Sequence, residues 1–189
     1  MDFGAPIKDL GPIDVSALRD KILSFDDVMW REEEVRQKKY DDVHYNTESV
    51  IMIFCDHTDW PKIDLIKGAG WDRLSDLALP IMHRIIGEHY PTGGTIIRAM
   101  AAKLKAGKTI TTHTDNHMSF HSGHRIHLPI ITNNKVRFMI DGRPHKMTVG
   151  NAYEINNQKR HGVINKGDED RINFIFDYVP RHAVQSATQ

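Results

Sequence analysis

At 189 residues, with 40% hydrophobic and 26% charged residues, the chain has the make-up of a soluble globular protein large enough to bury a real core. Lysine plus arginine equals aspartate plus glutamate at 25 each, which excludes a general attraction to nucleic acid or anionic membrane. The single cysteine, Cys55, excludes an internal disulfide; no stretch approaches a membrane span, and Met1-Asp2-Phe3-Gly4 lacks a signal pattern, so a reducing, cytoplasmic setting is expected.

In chain order, Val15, Leu18 and Ile22 recur at helical spacing after Asp14, a candidate N-cap. Trp30 to Tyr40 is dense in charge and reads as a solvated helix or an ordered arm, the 31–39 run forming its wet face. Val50 to Cys55 reads as a buried strand with Cys55 as a small hydrophobe. Leu74, Leu77, Ala78, Ile81, Met82 and Ile85 trace one helical face, with Pro80 kinking the helix or starting a second one. After Pro91-Thr92-Gly93-Gly94 the pattern turns to strands, expected at 95–105, 109–115, 124–131, 135–140, 146–149, 152–155, 161–164 and 170–178. Asp141-Gly142 reads as a hairpin turn and Gly150-Asn151 as another reversal. No repeat or linker divides the chain. The expectation is one domain over 1–189, with 1–92 a mostly helical support and 93–180 a barrel core. Its class is mainly β (α+β): a double-sheet barrel or jelly roll with N-terminal helices packed outside.

Two strands sharpen this. Arg125, His127 and Pro129 alternate with Ile126, Leu128 and Ile130; Arg171, Asn173 and Asp177 share a face with Ile175, opposite Ile172, Phe174, Phe176 and Tyr178. If the apolar faces pack on the helices, the polar faces line the barrel. A buried arginine is costly unless an anion meets it, which points to a negatively charged ligand.

Histidine is the compositional oddity: twelve in all, five between residues 113 and 127. In a strand, His113 and Asp115 project from one face, and His161 could complete a ligand set from a neighbouring strand. Two imidazoles and one carboxylate on one face of an octahedron suit non-haem Fe(II) with open positions. A turn at Asp115-Asn116 is the plainer reading of the dipeptide alone. His113, His117 and His121 are also spaced by four, but a metal face there would require a helix where a strand and loop are expected.

Residues 109–178 resemble the aspartyl/asparaginyl β-hydroxylase family of Fe(II)/2-oxoglutarate-dependent dioxygenases. The likeness rests on His113-Thr114-Asp115, then Arg125-Ile126-His127-Leu128, then His161 with Arg171 ten residues on. It implies a cupin-like double-stranded β-helix binding Fe(II), 2-oxoglutarate and O2. It also implies iron on His113 and His161, one 2-oxoglutarate carboxylate on Arg125 and His127, and the other on Arg171. The animal peptide hydroxylases that name the family have glycine in place of the carboxylate ligand. Asp115 makes this chain more similar to bacterial members with a full triad, some of which hydroxylate free amino acids.

The expected activity is hydroxylation of an unactivated C–H bond of an amino acid or peptide side chain, with release of succinate and CO2. His117, His121 and His124 are candidate substrate contacts beside the pocket mouth. Arg125 and His127 have a competing role in a salt bridge with Asp177 or Glu154. His145 is expected to be solvated, Asn156-Asn157-Gln158 to be an ordinary polar loop, and the direction of Arg98 stays open. Two other readings are a cupin-like metalloenzyme that does not use 2-oxoglutarate, and a non-catalytic barrel binding module. No nucleic acid or membrane partner is expected.

Overall fold

A computed structural model describes residues 1–32, 46–56, 59–181 and 183. Eleven strands and four helices are described: β1 (Ile7–Pro12), α1 (Ser16–Leu23), α2 (Asp27–Arg31), β2 (Thr47–Asp56), β3 (Asp64–Lys67), α3 (Gly70–His89), β4 (Thr95–Leu104), β5 (Thr109–His113), α4 (Met118–Ser122), β6 (His124–Ile131), β7 (Val136–Ile140), β8 (Arg143–His145), β9 (Asn151–Ile155), β10 (His161–Asn165) and β11 (Arg171–Val179). The strands pair antiparallel in two sheets, of order β1-β9-β6-β11-β4-β2-β3 and β5-β10-β7-β8. This is the mainly β, jelly-roll double-stranded β-helix, and α1 and α3 pack outside the larger sheet.

The two-faced strands explain that arrangement. Ile126, Leu128, Ile130, Ile172, Phe174, Phe176 and Tyr178 join Leu18, Ile22, Leu74, Ala78, Met82 and Ile85 in the main core. The opposite faces look into the barrel, where Leu104, Phe138, Ile140, Tyr153, Ile155 and Val163 form a second core between the sheets. Cys55 is fully buried beside Ile97 and Val179, and burial pushes its thiol pKa up.

Several local expectations shift. Besides the expected strand at Val50 to Cys55, which is β2, the first half of the chain contributes two further strands, β1 and β3. β1 carries Gly11 and Pro12, which argue against a strand, but it lies at a sheet edge with a register shift at Asp9–Gly11, where both are tolerated. β3 is exposed throughout, so its side chains carry no alternating pattern. α3 runs unbroken through Pro80, which faces solvent, where water can take up the carbonyl the ring leaves unpaired. Asp14 accepts from the Ser16 amide at 2.9 Å, one position ahead of the helix's own cap residue, Val15. The 146–149 strand is instead β8 at 143–145. Asp141 and Gly142 do form the hairpin turn, both with positive φ (48° and 74°), which sets Ile140 opposite Arg143. Most of the charged 31–39 run lies outside the described residues.

The fully buried Phe174 ring lies on the helix-facing side of β11, the strand at the centre of the larger sheet. Phe174→Ala should destabilise the fold by about 3–5 kcal/mol, seen as a lower urea midpoint at unchanged m-value.

Candidate active site

Strand pairing brings the three candidate ligands together. β10 lies beside β5 with His161 opposite His113, and Asp115 follows β5 by two residues. One ligand atom from each of His113, Asp115 and His161 lies within 4.8 Å of the others. His113 Nε2 is 3.8 Å from Asp115 Oδ1, and His161 Nε2 is 3.9 Å from Asp115 Oδ2. The register shifts between His161 and Val163, at Gly162. A Cβ on Gly162 would stand 2.9 Å from the Ile110 carbonyl oxygen, so the close approach of β10 to β5 requires glycine there.

Both imidazoles are oriented by backbone. His113 Nδ1 lies 2.8 Å from the Thr111 carbonyl and His161 Nδ1 lies 2.9 Å from the Lys159 carbonyl. A carbonyl only accepts, so each Nδ1 carries a hydrogen, and the neutral tautomer this selects presents its lone pair at Nε2. Burial lowers the His161 pKa, partly offset by Asp115. Asp115 is fixed through its main chain: its amide donates to the Asn157 carbonyl at 3.2 Å, and Gln158 Nε2 donates to its carbonyl at 3.3 Å. Asn156-Asn157-Gln158 is therefore not an ordinary polar loop; Asn156 and Asn157 are buried and the segment holds the carboxylate's backbone. Nothing in its composition announced this, because the contacts are to backbone.

A pocket between the sheets is lined by His113, Arg125, His127, Phe138, His161 and Arg171, with Lys103 and several aliphatic side chains. Its cations differ in their partners. Lys103 is 2.6 Å from Glu48. Arg125 donates through Nε and Nη2 to Asp177 at 2.8 and 2.9 Å, and through Nη1 to Asp115 Oδ2 at 2.6 Å. Arg171 is 4% exposed, its guanidinium 5.6 Å from the centre of the Phe138 ring, and among the described residues no carboxylate pairs with it. Burial pushes its pKa down to about 10, which still leaves it cationic at neutral pH.

His127 is the second polar group without full satisfaction. Asn173 Nδ2 lies 3.1 Å from its Nδ1, as donor, so the hydrogen of the neutral ring sits on Nε2, which is buried without a partner among the described residues. Burial first, then the Arg171 and Arg125 cations, hold its pKa well below the ordinary imidazole range. An uncommitted N–H and an uncompensated guanidinium on one wall fit an anionic ligand, and two Nε2 lone pairs beside a carboxylate fit a divalent metal.

The remaining candidates are not among the residues that line this pocket. His124 is on the other face of β6, with Nδ1 2.6 Å from Glu154 Oε1 and its ring 4.3 Å from that of Tyr90. It is turned to the helical side because an even position on this strand faces outward. His117 caps α4, accepting from the Ser119 amide at 3.1 Å, and His121 is exposed on that short helix. A helical metal face with His113 is thus not formed. His145 is half-buried with Nε2 enclosed and unpartnered among the described residues, rather than solvated. Arg98 faces inward and pairs with Asp177 at 2.9 Å.

Neutral, buried His127 and His161 fix the sign of one pH effect. Their folded pKa values lie below the unfolded value of 6.5, so the folded state binds fewer protons. Stability is fully present above that value and is lost as pH falls through it, by up to about 1.4 kcal/mol per unit for each group. Melting temperatures of metal-free protein should fall between pH 7.5 and 5, and His127→Gln should flatten the slope.

Comparison with known proteins agrees with this architecture. A family model described as aspartyl/asparaginyl beta-hydroxylase matches residues 17–180. No curated protein matches the chain. Among solved structures, an oxidoreductase of the 2OG-Fe(II) oxygenase family from Burkholderia pseudomallei is similar at 13% identity and TM-score 0.54, over 70% of this chain and 67% of that one. The non-heme monooxygenase ThoJ, in a nickel complex, is similar at 11% identity and TM-score 0.53, over 93% of this chain and 74% of that one. EvdMO1 is similar at 11% identity and TM-score 0.55, over 93% of this chain and 47% of that one. At such identities the structures speak for the fold. The family model spans α1 to the end of β11 and takes in every residue of the pocket wall: the chain belongs to the aspartyl/asparaginyl β-hydroxylase family and is a 2-oxoglutarate-dependent hydroxylase.

Proposed function

We propose that His113, Asp115 and His161 hold Fe(II), that Arg171 and His127 receive 2-oxoglutarate, and that the enzyme hydroxylates an unactivated C–H bond of an amino acid or peptide side chain. Arg125, which the resemblance also assigns to the co-substrate, is set aside because it already donates to Asp177 and Asp115. Residues 1–189 act in this reading as one oxygenase domain. The observation that carries this reading is Arg171: a buried guanidinium with no carboxylate partner among the described residues, in the same pocket as the His-Asp-His cluster. A cupin-like enzyme that uses no dicarboxylate has no need to bury such a charge.

Fe(II) with 2-oxoglutarate and dioxygen supplies the oxidising power for C–H hydroxylation, with succinate and CO2 as co-products. The chain supplies ligation and orientation. The Thr111 and Lys159 carbonyls hold the hydrogens of the two imidazoles at Nδ1, so Nε2 is ready to bind without a proton having to leave. The Arg171 fork offers a carboxylate two charge-assisted hydrogen bonds in place of lost water. His127 Nε2–H offers a further donor, and Phe138 walls the pocket against water. Free amino acids are the preferred substrates in this reading, ahead of peptide side chains and other small metabolites.

Asp115→Ala should weaken metal binding and sharply reduce hydroxylation while leaving the melting temperature close to wild type. Wild-type turnover in that variant would refute the ligand set. Arg171→Ala should raise the 2-oxoglutarate requirement by about 10- to 100-fold with metal binding retained. An unchanged requirement would remove Arg171 from the co-substrate site. Substrate class is tested by screening amino acids and short peptides for substrate-dependent succinate release together with a mass gain of one oxygen.

A further inference from the structure

Arg125 sits in a mount built by three neighbouring strands. Asp177 on β11 lies opposite Arg98 on β4 and opposite Arg125 on β6. Its carboxylate receives Arg125 Nε and Nη2 at 2.8 and 2.9 Å and Arg98 Nη1 at 2.9 Å. Arg98 Nη2 in turn donates to Ser119 Oγ at 2.7 Å, and the Phe120 ring lies 4.2 Å from the Arg98 guanidinium and 4.5 Å from that of Arg125. So constrained, Arg125 delivers Nη1 to one atom of the candidate ligand, Asp115 Oδ2, at 2.6 Å. Both oxygens face the imidazole pair, Oδ1 at 3.8 Å from His113 Nε2 and Oδ2 at 3.9 Å from His161 Nε2, and Oδ2 is the one that the Arg125 guanidinium engages.

We infer that Arg125 is a positioning residue: by engaging Oδ2 it restricts Asp115 to single-oxygen ligation and so keeps three coordination positions of the bound ion open. This rests on the metal site proposed above. Two imidazoles and one carboxylate oxygen fill three of about six octahedral positions. A carboxylate bound through both oxygens would take a fourth and leave too few for a chelating 2-oxo acid and dioxygen together. A charged hydrogen bond to the second oxygen of a ligating carboxylate is the kind of outer contact that sets ligand orientation. Asp177 and Arg98 matter in this scheme only through Arg125, since neither is among the pocket-lining residues.

The test counts water on the metal, without co-substrate. Full-length protein is loaded with Mn(II), and inner-sphere water is measured by water-proton relaxation enhancement. Wild type should carry about three such waters, and Arg125→Gln and Asp177→Asn about two, as Asp115 closes onto the ion with its second oxygen. Affinity of the Mn(II) protein for 2-oxoglutarate should fall by about tenfold or more in both. Arg98→Lys, which keeps the charge but cannot make both contacts, should lower the water number too, and replaces either variant that does not fold. An unchanged water number across the folded variants overturns the inference, and a loss of 2-oxoglutarate affinity alone would make Arg125 a direct co-substrate contact. If wild type binds no Mn(II), or binds it equally after His161→Ala, the metal site itself is refuted and the inference goes with it.

Discussion

Charge inside a barrel is the constraint from which the rest of this structure follows. Arg98, Arg125, Asp177 and Arg171 all project from the inner face of the larger sheet, where water is scarce. Burial pushes the Asp177 carboxyl up, and the Arg125 and Arg98 guanidiniums outweigh it, leaving the group ionised and far below the usual carboxylate range. Such a cluster is tolerable because it is nearly complete within itself: carboxylates meet guanidiniums in close, multiply bonded geometry. Among the described residues Arg171 stands outside that compensation, which is the arrangement an anionic ligand would complete.

The opposite face of the same strands makes the arrangement possible. Phe174, Phe176 and Tyr178 are buried against α1 and α3, so the hydrophobic gain that holds the sheet is collected outside the barrel. The inner wall is thereby released from carrying the core and can be spent on chemistry. A smaller apolar cluster around Phe138, Ile140 and Val163 still joins the two sheets and walls the pocket. The candidate metal ligands sit where the smaller sheet faces the charged wall, held by main-chain contacts from Thr111, Asn157 and Lys159. Backbone contacts of this kind are insensitive to side-chain identity in the surrounding loops.

Much of this was legible in the residues. The alternation in 124–131 and 171–179 announced two-faced strands, and Asp141-Gly142 announced a hairpin. His113, Asp115, His161 and Arg171 carried the family's pattern. Other features were illegible for physical reasons. β1 and β3 are edge strands, where half-paired backbone tolerates Gly, Pro and exposed side chains, so neither carries the alternation that marks a buried strand. His124 belongs to the same dense run of histidines as His127, but three residues along a strand reverse the face, and it pairs with Glu154 on the helical side.

The sequence by itself determined which residue types were present and which face of each strand they shared, because side-chain direction along a strand is a local property of period two. It therefore led to the expectation that arginine, aspartate and histidine line a barrel, and it singled out the candidate trio His113, Asp115 and His161. Only the tertiary structure decided which charge meets which. Asp177 could be assigned to Arg125, to Arg98 or to neither until the order β4-β11-β6 and its register placed all three in line. Register across strands distant in the chain is a non-local choice, fixed by packing of the whole sheet, and no stretch of residues encodes it alone.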